Sequence, residues 1–175
     1  MISPHYEGTV TMNLHSVFVA GVVLASAPAQ AGNELVILAQ HGLSNSLMLD
    51  VSGSLNAVSV LQAHHGLGAA NVIDVNIESD FNGGPLGPSF IGAILSAGLT
   101  PGSITQSGFD NHIIASVTGS YNLFAFAQEG SGNRLTASIS GMANQAAVTQ
   151  AGRNNVVGFS QSGNGNTVGV SQTSW

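Results

Sequence analysis

The sequence predicts an all-β protein, a two-sheet parallel β-solenoid of the cross-β type with an inserted loop. Three observations predict this fold class. Asn returns every eleven residues at six successive positions, and Gly stands three residues before each of them. Between these markers, apolar side chains alternate with small or polar ones, which is typical of strands that bury one face. Regular internal repetition favours a stack of similar units.

The repeating unit is predicted to be a short strand followed by a tight turn. The most regular units are marked by Asn111, Asn122, Asn133, Asn144, Asn155 and Asn166, with Gly108, Gly119, Gly130, Gly141, Gly152 and Gly163 ahead of them. Apolar side chains such as Phe124 and Phe126 stand two and four residues after the Asn. Glycine tolerates the positive φ values that tight turns require, so each Gly is assigned to a turn.

Two such units form one rung of the predicted solenoid. The sixth position after the Asn divides into two columns with a spacing of 22 residues, one of Gln106, Gln128, Gln150 and Gln172 and the other of Val117, Ile139 and Gln161. One rung is therefore strand, turn, strand and turn. Each residue is expected to stack on its equivalent in the next rung, about 4.8 Å above it.

The same phase continues upstream with interruptions. Four residues are inserted between Asn56 and Asn71, and an apolar insertion rich in Gly and Pro follows Asn82. The ten Asn-marked units predict about five rungs. For the apolar part of the insertion, residues 90–99, the sequence leaves open a short helix, an extra strand or an exposed loop. It also leaves open whether the insertion lies inside or outside the rung.

The chain divides into four predicted segments. They are a signal peptide (1–31), imperfect repeats (32–82), the insertion (83–103) and regular repeats (104–175). The apolar run Val17–Ala25 ends in the small-x-small pattern Ala29-Gln30-Ala31, which predicts cleavage after Ala31. Met12 is an alternative start, and a buried N-terminal helix is the alternative structure. A membrane span needs about 20 apolar residues, so the pattern predicts export and no membrane span.

The composition excludes several classes of function. Only 6% of residues are charged, Lys is missing, and Arg134 and Arg153 are the only basic residues apart from six His. A nucleic-acid-binding protein needs a basic surface, so no nucleic-acid partner is expected. There is no Cys, so a disulfide-stapled scaffold is excluded.

The repeated amides are predicted to be self-assembly residues. A buried amide is costly alone, but identical amides in a parallel stack can hydrogen-bond one another. The predicted amide ladders contain Gln40, Asn45, Asn56, Gln62, Asn71, Asn82, Gln106, Asn111, Asn122, Gln128, Asn133, Asn144, Gln150, Asn155, Gln161, Asn166 and Gln172. The predicted turn glycines are Gly42, Gly53, Gly108, Gly119, Gly130, Gly141, Gly152 and Gly163. The last unit shows no polar cap, so its edge is expected to template another chain.

The pattern Q-x-G-x-x-N-x-φ-x-φ-x-Q, where φ is apolar, resembles the curlin repeat. It is carried by residues 106–117, 128–139, 150–161 and 161–172. Curlin repeats belong to the secreted subunits of curli, the functional amyloid of Gram-negative biofilms. The resemblance implies export through the curli secretion machinery, assembly into fibres at the cell surface, and roles in adhesion and biofilm matrix. It also implies a paralogous curli subunit as a partner.

Departures from the pattern leave the type of subunit open. Val51, Val117 and Ile139 replace Gln in one column, and the insertion is unexpected in a compact rung. The chain is therefore interpreted as either a major or a nucleator-like subunit. We expect deletion of residues 150–175 to slow polymerisation far more than deletion of residues 84–102, because the last rung is the least interrupted.

Other constellations give weaker signals, and no catalytic, cofactor or metal residues are predicted. His64 and His65, with His41 and Asp74, suggest a metal site, but neighbouring strand side chains point to opposite faces. Asp110 and His112 lack the surroundings of a hydrolase nucleophile. Calcium-binding repeats need Asp where this chain has Asn.

Two other functions are alternatives to a fibre subunit. A soluble secreted β-solenoid that binds a ligand is the alternative, although the outward column from His112 to Thr167 shares no common chemistry. An enzyme on a β-helix would need clustered carboxylates, which the sequence lacks, so no enzymatic activity is expected.

Overall fold

The structure, a computed structural model, describes residues 7–15, 19–21, 35–42, 44–84, 89–91 and 98–175. All the regular elements in these ranges are strands. They are β1 (Glu7–His15), β2 (Val19–Gly21), β3 (Leu35–His41), β4 (Ser44–Ser52), β5 (Ala57–His64), β6 (Asn71–Glu78), β7 (Ser103–Phe109), β8 (His112–Thr118), β9 (Leu123–Ser131), β10 (Arg134–Ser140), β11 (Gln145–Arg153), β12 (Val156–Ser162) and β13 (Thr167–Thr173). No helix capable of crossing a membrane occurs in the described ranges.

From β3 onward, successive strands alternate between two parallel sheets. Sheet A has the order β1-β4-β6-β8-β10-β12, and sheet B has the order β13-β11-β9-β7-β5-β3-β2. Strand pairing is in register, so that Arg134 lies beside Val156 and Gln145 beside Thr167, each 22 residues on. Both insertions keep this register, because Asn45 still pairs with Asn71 across the first insertion and Ile73 with Ile113 across the second. The predicted two-sheet parallel β-solenoid is confirmed.

The solenoid contains one strand more than the Asn markers predict. Eleven strands run from β3 to β13, and at two strands a rung they make five and a half rungs. The additional strand is β3, which pairs in register with β5 but has Glu34 where other units have Asn. Alternating Val36, Leu38 and Gln40 were the signal in the sequence, since they repeat the pattern of the next units.

A thin apolar core fills the space between the two sheets. The largest fully buried side chains include Phe124 and Phe126, whose ring centroids are 5.8 Å apart. Neighbouring rungs contribute smaller side chains at the same depth, such as Ile113, Leu135 and Ala146. Large and small residues therefore interdigitate along the stack, as close packing requires.

Two strands fall within the segment predicted as a signal peptide. β1 pairs antiparallel with β4, and β2 pairs antiparallel with β3. They lie on the edges that β3 and β4 would otherwise leave open at the N-terminal end of the stack. The predicted cleavage site after Ala31 lies outside the described residues, and cleavage there stays a prediction.

The second insertion leaves the rung in the middle of a strand and returns to the same place. Gly83 forms a bridge with Ala57, and Ser103 pairs with Ser59 two residues further along β5. The amide nitrogen of Gly84 donates to the Ala57 carbonyl at 2.8 Å. A Cβ on Gly102 would lie only 2.6 Å from the Gly84 nitrogen, so the two ends of the insertion are adjacent.

The described part of this insertion packs on the outside of sheet B. Phe90 is buried against Leu123, Ala125 and Ala147, and Leu99 packs against the same cluster. The backbone nitrogen of Ile91 donates to the Gln145 side-chain oxygen at 2.7 Å. The sequence left open whether the insertion lies inside or outside the rung. Its described part lies outside, because it covers the outer face of β9 and β11. Residues 85–88 and 92–97 lie outside the described ranges.

Candidate self-assembly site

The Asn side chains form a ladder at each of the two turns of the solenoid. One ladder contains Asn45, Asn71, Asn111, Asn133 and Asn155, and the other contains Asn56, Asn82, Asn122, Asn144 and Asn166. In each regular rung, the Asn Oδ1 accepts both the backbone N–H and the Nδ2–H of the next Asn. For Asn133 and Asn111 these distances are 3.2 and 3.0 Å.

Each Asn also fixes the backbone of its own turn. Asn133 Nδ2 donates to the carbonyl of Glu129, four residues earlier, and to the carbonyl of Gly152 in the next rung, both at 3.1 Å. The same pair of contacts recurs for Asn144 with Ser140 and Gly163. One amide therefore joins three successive rungs and compensates for its own burial.

The Gln side chains form a single ladder inside sheet B. It runs from Gln40 through Gln62, Gln106, Gln128 and Gln150 to Gln172, with Nε2 to Oε1 distances of 2.6–3.0 Å. The Nε2 of Gln128 also donates to the His112 carbonyl in sheet A, at 3.0 Å. The Gln ladder thus ties the two sheets together across the core.

The Asn and Gln ladders point in opposite directions along the stack. Each Asn donates its side-chain N–H towards the N-terminal end, as Asn133 does to Asn111. Each Gln donates towards the C-terminal end, as Gln106 does to Gln128. The open C-terminal end therefore presents Asn oxygens as acceptors and Gln N–H groups as donors, which gives the stack a polarity.

Gln161 belongs to none of these three ladders. It continues the sheet A column of Val51, Ile77, Val117 and Ile139, where every other member is apolar. Its Nε2 donates to the Gln145 carbonyl at 3.1 Å. Its Oε1 is buried and has no hydrogen-bond partner in the described structure, because Ile139 stands where a Gln donor would be. This buried, unpaired oxygen destabilises the last rung.

The turns contain two left-handed positions, of which sequence reasoning found one. All eight predicted turn glycines have positive φ, and Ser79 takes the same role at φ 80° where a unit lacks Gly. At Gly130 and Gly141 an added Cβ would overlap the carbonyl oxygen of the equivalent glycine in the next rung. Stacking as well as backbone conformation therefore requires glycine there.

The second left-handed position directly precedes eight of the ten ladder Asn residues. Residues there with φ between 54 and 69° are Leu55, Phe81, Asp110, Tyr121, Gly132, Ala143, Asn154 and Gly165. Asp, Asn and Gly tolerate this region, and their recurrence was a signal in the sequence. Leu, Phe and Tyr are strained there, and the stacked rings of Phe81 and Tyr121, with centroids 4.7 Å apart, offset part of that cost.

The histidines and carboxylates that the structure describes do not assemble into a site. His64 is buried, and its Nε2 lies 3.1 Å from the Gly68 carbonyl. Within the described ranges, no three His, Asp or Glu side chains are grouped to hold a metal ion. Asp110 lies 3.4 Å from His112 and 3.9 Å from Arg134 on the outer surface. Such exposed ion pairs contribute little to stability.

The C-terminal end of the stack leaves core side chains partly uncovered. Phe126 and Val148 are fully buried, whereas Val170, the next residue in the same column, is only half-buried. Phe159 in β12 is likewise half-buried. Asn166 is exposed, although its equivalents Asn122 and Asn144 are fully buried. Apolar side chains and amides that a neighbouring rung covers elsewhere in the stack are therefore partly exposed at this end.

Comparison with known proteins supports the interpretation of the regular rungs. Residues 141–173 match the family model of the curlin associated repeat. The match covers all of β11, β12 and β13, where the Asn and Gln ladders reach the C-terminal end of the described stack. Neither the curated proteins nor the solved structures compared with the chain give a match. The chain therefore carries a curlin associated repeat over residues 141–173.

Proposed function

We propose that this protein is a secreted structural subunit that stacks rung on rung into curli-type amyloid fibres at a bacterial surface. The curlin repeat and the β-solenoid fold fit a curli-type structural subunit. In this proposal the chain has no catalytic role. Its partners are further copies of itself, a paralogous curli subunit and the curli secretion machinery, and the fibres serve adhesion and biofilm matrix.

One observation carries the proposal: β12 and β13 are open edge strands of the described stack. Val170 and Phe159 are half-buried there, and the ladders end in amide groups without a next rung. A further rung from another copy would bury these apolar side chains and supply partners for amides at the open edge. Open strand edges of this kind template the addition of further strands.

Fibre formation is tested with the chain that begins at Gly32, at micromolar concentration. We expect thioflavin fluorescence to rise after a lag, and fibre diffraction to show a meridional spacing of about 4.7 Å. Preformed fibres added as seeds should remove the lag. A persistent monomer without the 4.7 Å spacing would contradict the proposal and favour a soluble ligand-binding solenoid.

The type of subunit is tested by seeding a paralogue. We expect a nucleator-like subunit to shorten the lag of a paralogous curlin at a small molar fraction. A major subunit is instead expected to be incorporated in proportion to its concentration. The two outcomes are distinguished by the composition of washed fibres.

A further inference from the structure

At the edge of β12, one side-chain amide hydrogen of Gln161 is available to a neighbouring strand. Gln161 uses Nε2 to bond the Gln145 carbonyl, as each ladder Gln bonds a carbonyl of the opposite sheet. Ladder glutamines use their second amide hydrogen to reach the Oε1 of the next rung. No hydrogen bond in the described structure uses the second hydrogen of Gln161, which faces the open edge.

Gln40, at the other end of the stack, offers an acceptor oxygen. Its Nε2 donates to Gln62 Oε1, and no hydrogen bond in the described structure uses its own Oε1. In the ladder direction, that oxygen faces away from β5, towards the N-terminal edge. The Gln40 oxygen is therefore a suitable acceptor for a terminal Gln of another copy, either Gln161 in β12 or Gln172 in β13, and the strand count decides between them.

The two turns of each rung are equivalent by a half-turn. The Asn Nδ2 to Gly carbonyl contact occurs at Asn111, Asn122, Asn133 and Asn144, eleven residues apart and at 2.8–3.1 Å in every case. Successive contacts lie at opposite corners of the solenoid. The regular part of the chain thus advances as a twofold screw, in which each half-turn adds one strand.

The number of strands then fixes how a second copy can continue the stack. An unrotated copy would place its β3 on β13 and its β4 on β12. Sheet B contains six strands of the solenoid, β3, β5, β7, β9, β11 and β13, and sheet A contains five. Placing β3 on β13 therefore shifts the second copy by six strand spacings along the stack, whereas placing β4 on β12 shifts it by five. One rigid copy cannot satisfy both. A copy rotated by a half-turn satisfies both, since eleven strands equal eleven half-turns.

We propose that successive copies dock head to tail with a half-turn rotation, so that β3 of one copy pairs with β12 and β4 pairs with β13 of the previous copy. This inference rests on the proposed fibre function and on removal of β1 and β2 from the edges of β4 and β3. The Gln161 Nε2 donates to the Gln40 Oε1 of the next copy. Gln161 is thus the first member of that copy's Gln ladder, which explains why it interrupts an apolar column. The same register places Gln172 of β13 beside Val51 of β4, so the Gln ladder of each copy ends at Gln172.

The half-turn predicts a visible fibre geometry. The insertion, which packs on the outer face of sheet B, would emerge on opposite sides of the fibre in successive copies. Eleven half-rung steps advance about 26 Å, so insertions on one side would repeat about every 53 Å. An unrotated arrangement would place every insertion on the same side.

Disulfide trapping tests the register, and the chain contains no native Cys. Ala39 in β3 and Ser160 in β12 are outward residues that the half-turn places side by side, at the strand spacing of about 4.8 Å. That spacing is within the range for a disulfide. Fibres are assembled from an equimolar mixture of Ala39→Cys and Ser160→Cys chains that begin at Gly32. The described core cluster runs from Leu38 to Val157, and the chain that begins at Gly32 contains all of it.

The matched control is a mixture of Ala39→Cys with Ser171→Cys. The unrotated register would join this pair, whereas the half-turn separates it across two sheets by about 10 Å or more. We expect covalent dimers from the first mixture and none from the second. Dimers from the control, dimers from Ser160→Cys alone, or fibres without dimers in the first mixture would each overturn the half-turn. Absence of fibres would overturn the proposed function as well.

The substitution Gln161→Ile supplies a second test, because it should stabilise the monomer but slow elongation of the fibre. It removes the unpaired Oε1, so the urea midpoint of the monomer should rise. It also removes the donor for Gln40, so fibre elongation should slow about fivefold or more. In the unrotated register Gln161 would lie between Ile139 and Val51, and the same substitution would speed elongation. Faster elongation would therefore overturn the proposal.

Discussion

Asn133 shows how one side chain can hold several rungs in place. It accepts two hydrogen bonds from Asn155, and its Nδ2 contacts Asn111, Glu129 and Gly152. An apolar replacement would leave several buried polar groups without partners, and each such group costs about 1–3 kcal/mol. The same amide therefore fixes the register between rungs and stabilises the fold.

We expect Asn133→Ala to lower the free energy of unfolding by about 3 kcal/mol. The measurement is urea unfolding of the monomer, at concentrations too low for assembly. Asn76→Ala is the matched control, because Asn76 points outward and bonds only Glu78, at 2.9 Å. That variant should change the free energy of unfolding by less than about 0.5 kcal/mol. Equal effects would show that the ladders do not stabilise the fold.

Three glycines differ in whether an added Cβ would strain the backbone, collide with the next rung, or do neither. Gly141 has positive φ, and an added Cβ would overlap the Gly163 carbonyl. Gly163 has positive φ, but its Cβ would meet only Asn166 Nδ2, at 3.5 Å. Gly158 in β12 has neither constraint. Alanine at these three positions therefore tests both effects independently.

For monomer stability we expect Gly158→Ala to be neutral or slightly stabilising, and Gly163→Ala to cost about 1–2 kcal/mol from strain alone. Gly141→Ala should cost more than Gly163→Ala, because the backbone of the next rung must move. Urea unfolding of the three monomers measures this order. Equal costs for Gly141→Ala and Gly163→Ala would contradict the close approach between rungs.

At the scale of elements, the insertion is a separate layer on sheet B. Its ends meet at Gly84 and Gly102, so the rung closes without it. Phe90 is 7% exposed and covers Leu123, Ala125 and Ala147, which would otherwise form an apolar outer patch. The cover is local, and its loss is expected to open the insertion without unfolding the solenoid.

We expect Phe90→Ser to increase protease cleavage within the insertion several-fold while the urea midpoint changes little. Ile91→Ser is the control, because Ile91 is 73% exposed and contributes no comparable cover. Limited proteolysis followed by mass spectrometry measures the cleavage sites. Cleavage that is equal in the two variants would mean that Phe90 does not anchor the insertion.

At the scale of the whole molecule, the two ends of the stack differ. β12 and β13 have free outer edges among the described residues, whereas β1 and β2 lie on the edges of β4 and β3. Addition of strands at the N-terminal end therefore requires those two strands to leave. The predicted cleavage after Ala31 would remove both.

We expect the chain that retains residues 1–31 to elongate fibres at least several-fold more slowly than the chain from Gly32. Seeded thioflavin kinetics measures the difference. The control retains residues 1–31 but carries Val10→Pro and Thr11→Pro in β1. Since one of two neighbouring N–H groups faces the paired strand, these prolines remove a pairing donor and should restore part of the rate. An unchanged rate with the prolines would contradict edge blocking by β1.

Much of the fold could be predicted from local spacing, because the contacts are nearly all between equivalent residues. The eleven-residue return of Asn133 and Asn144 was sufficient to predict strands, turns and parallel register. The strand β3 was missed because Glu34 stands at its marker position. The left-handed residues Phe81 and Tyr121 were missed because their types do not favour that conformation.

The sequence by itself determined the period, the inward apolar columns and the amides that recur in them, because side-chain alternation and spacing are local properties of an extended chain. Only the tertiary structure decided the direction of each ladder, the isolation of Gln161 Oε1 and the place of Phe90 outside sheet B. These depend on which side chain stands above, below or across from another. That arrangement is fixed by stacking two sheets in three dimensions, and no spacing along the chain specifies it.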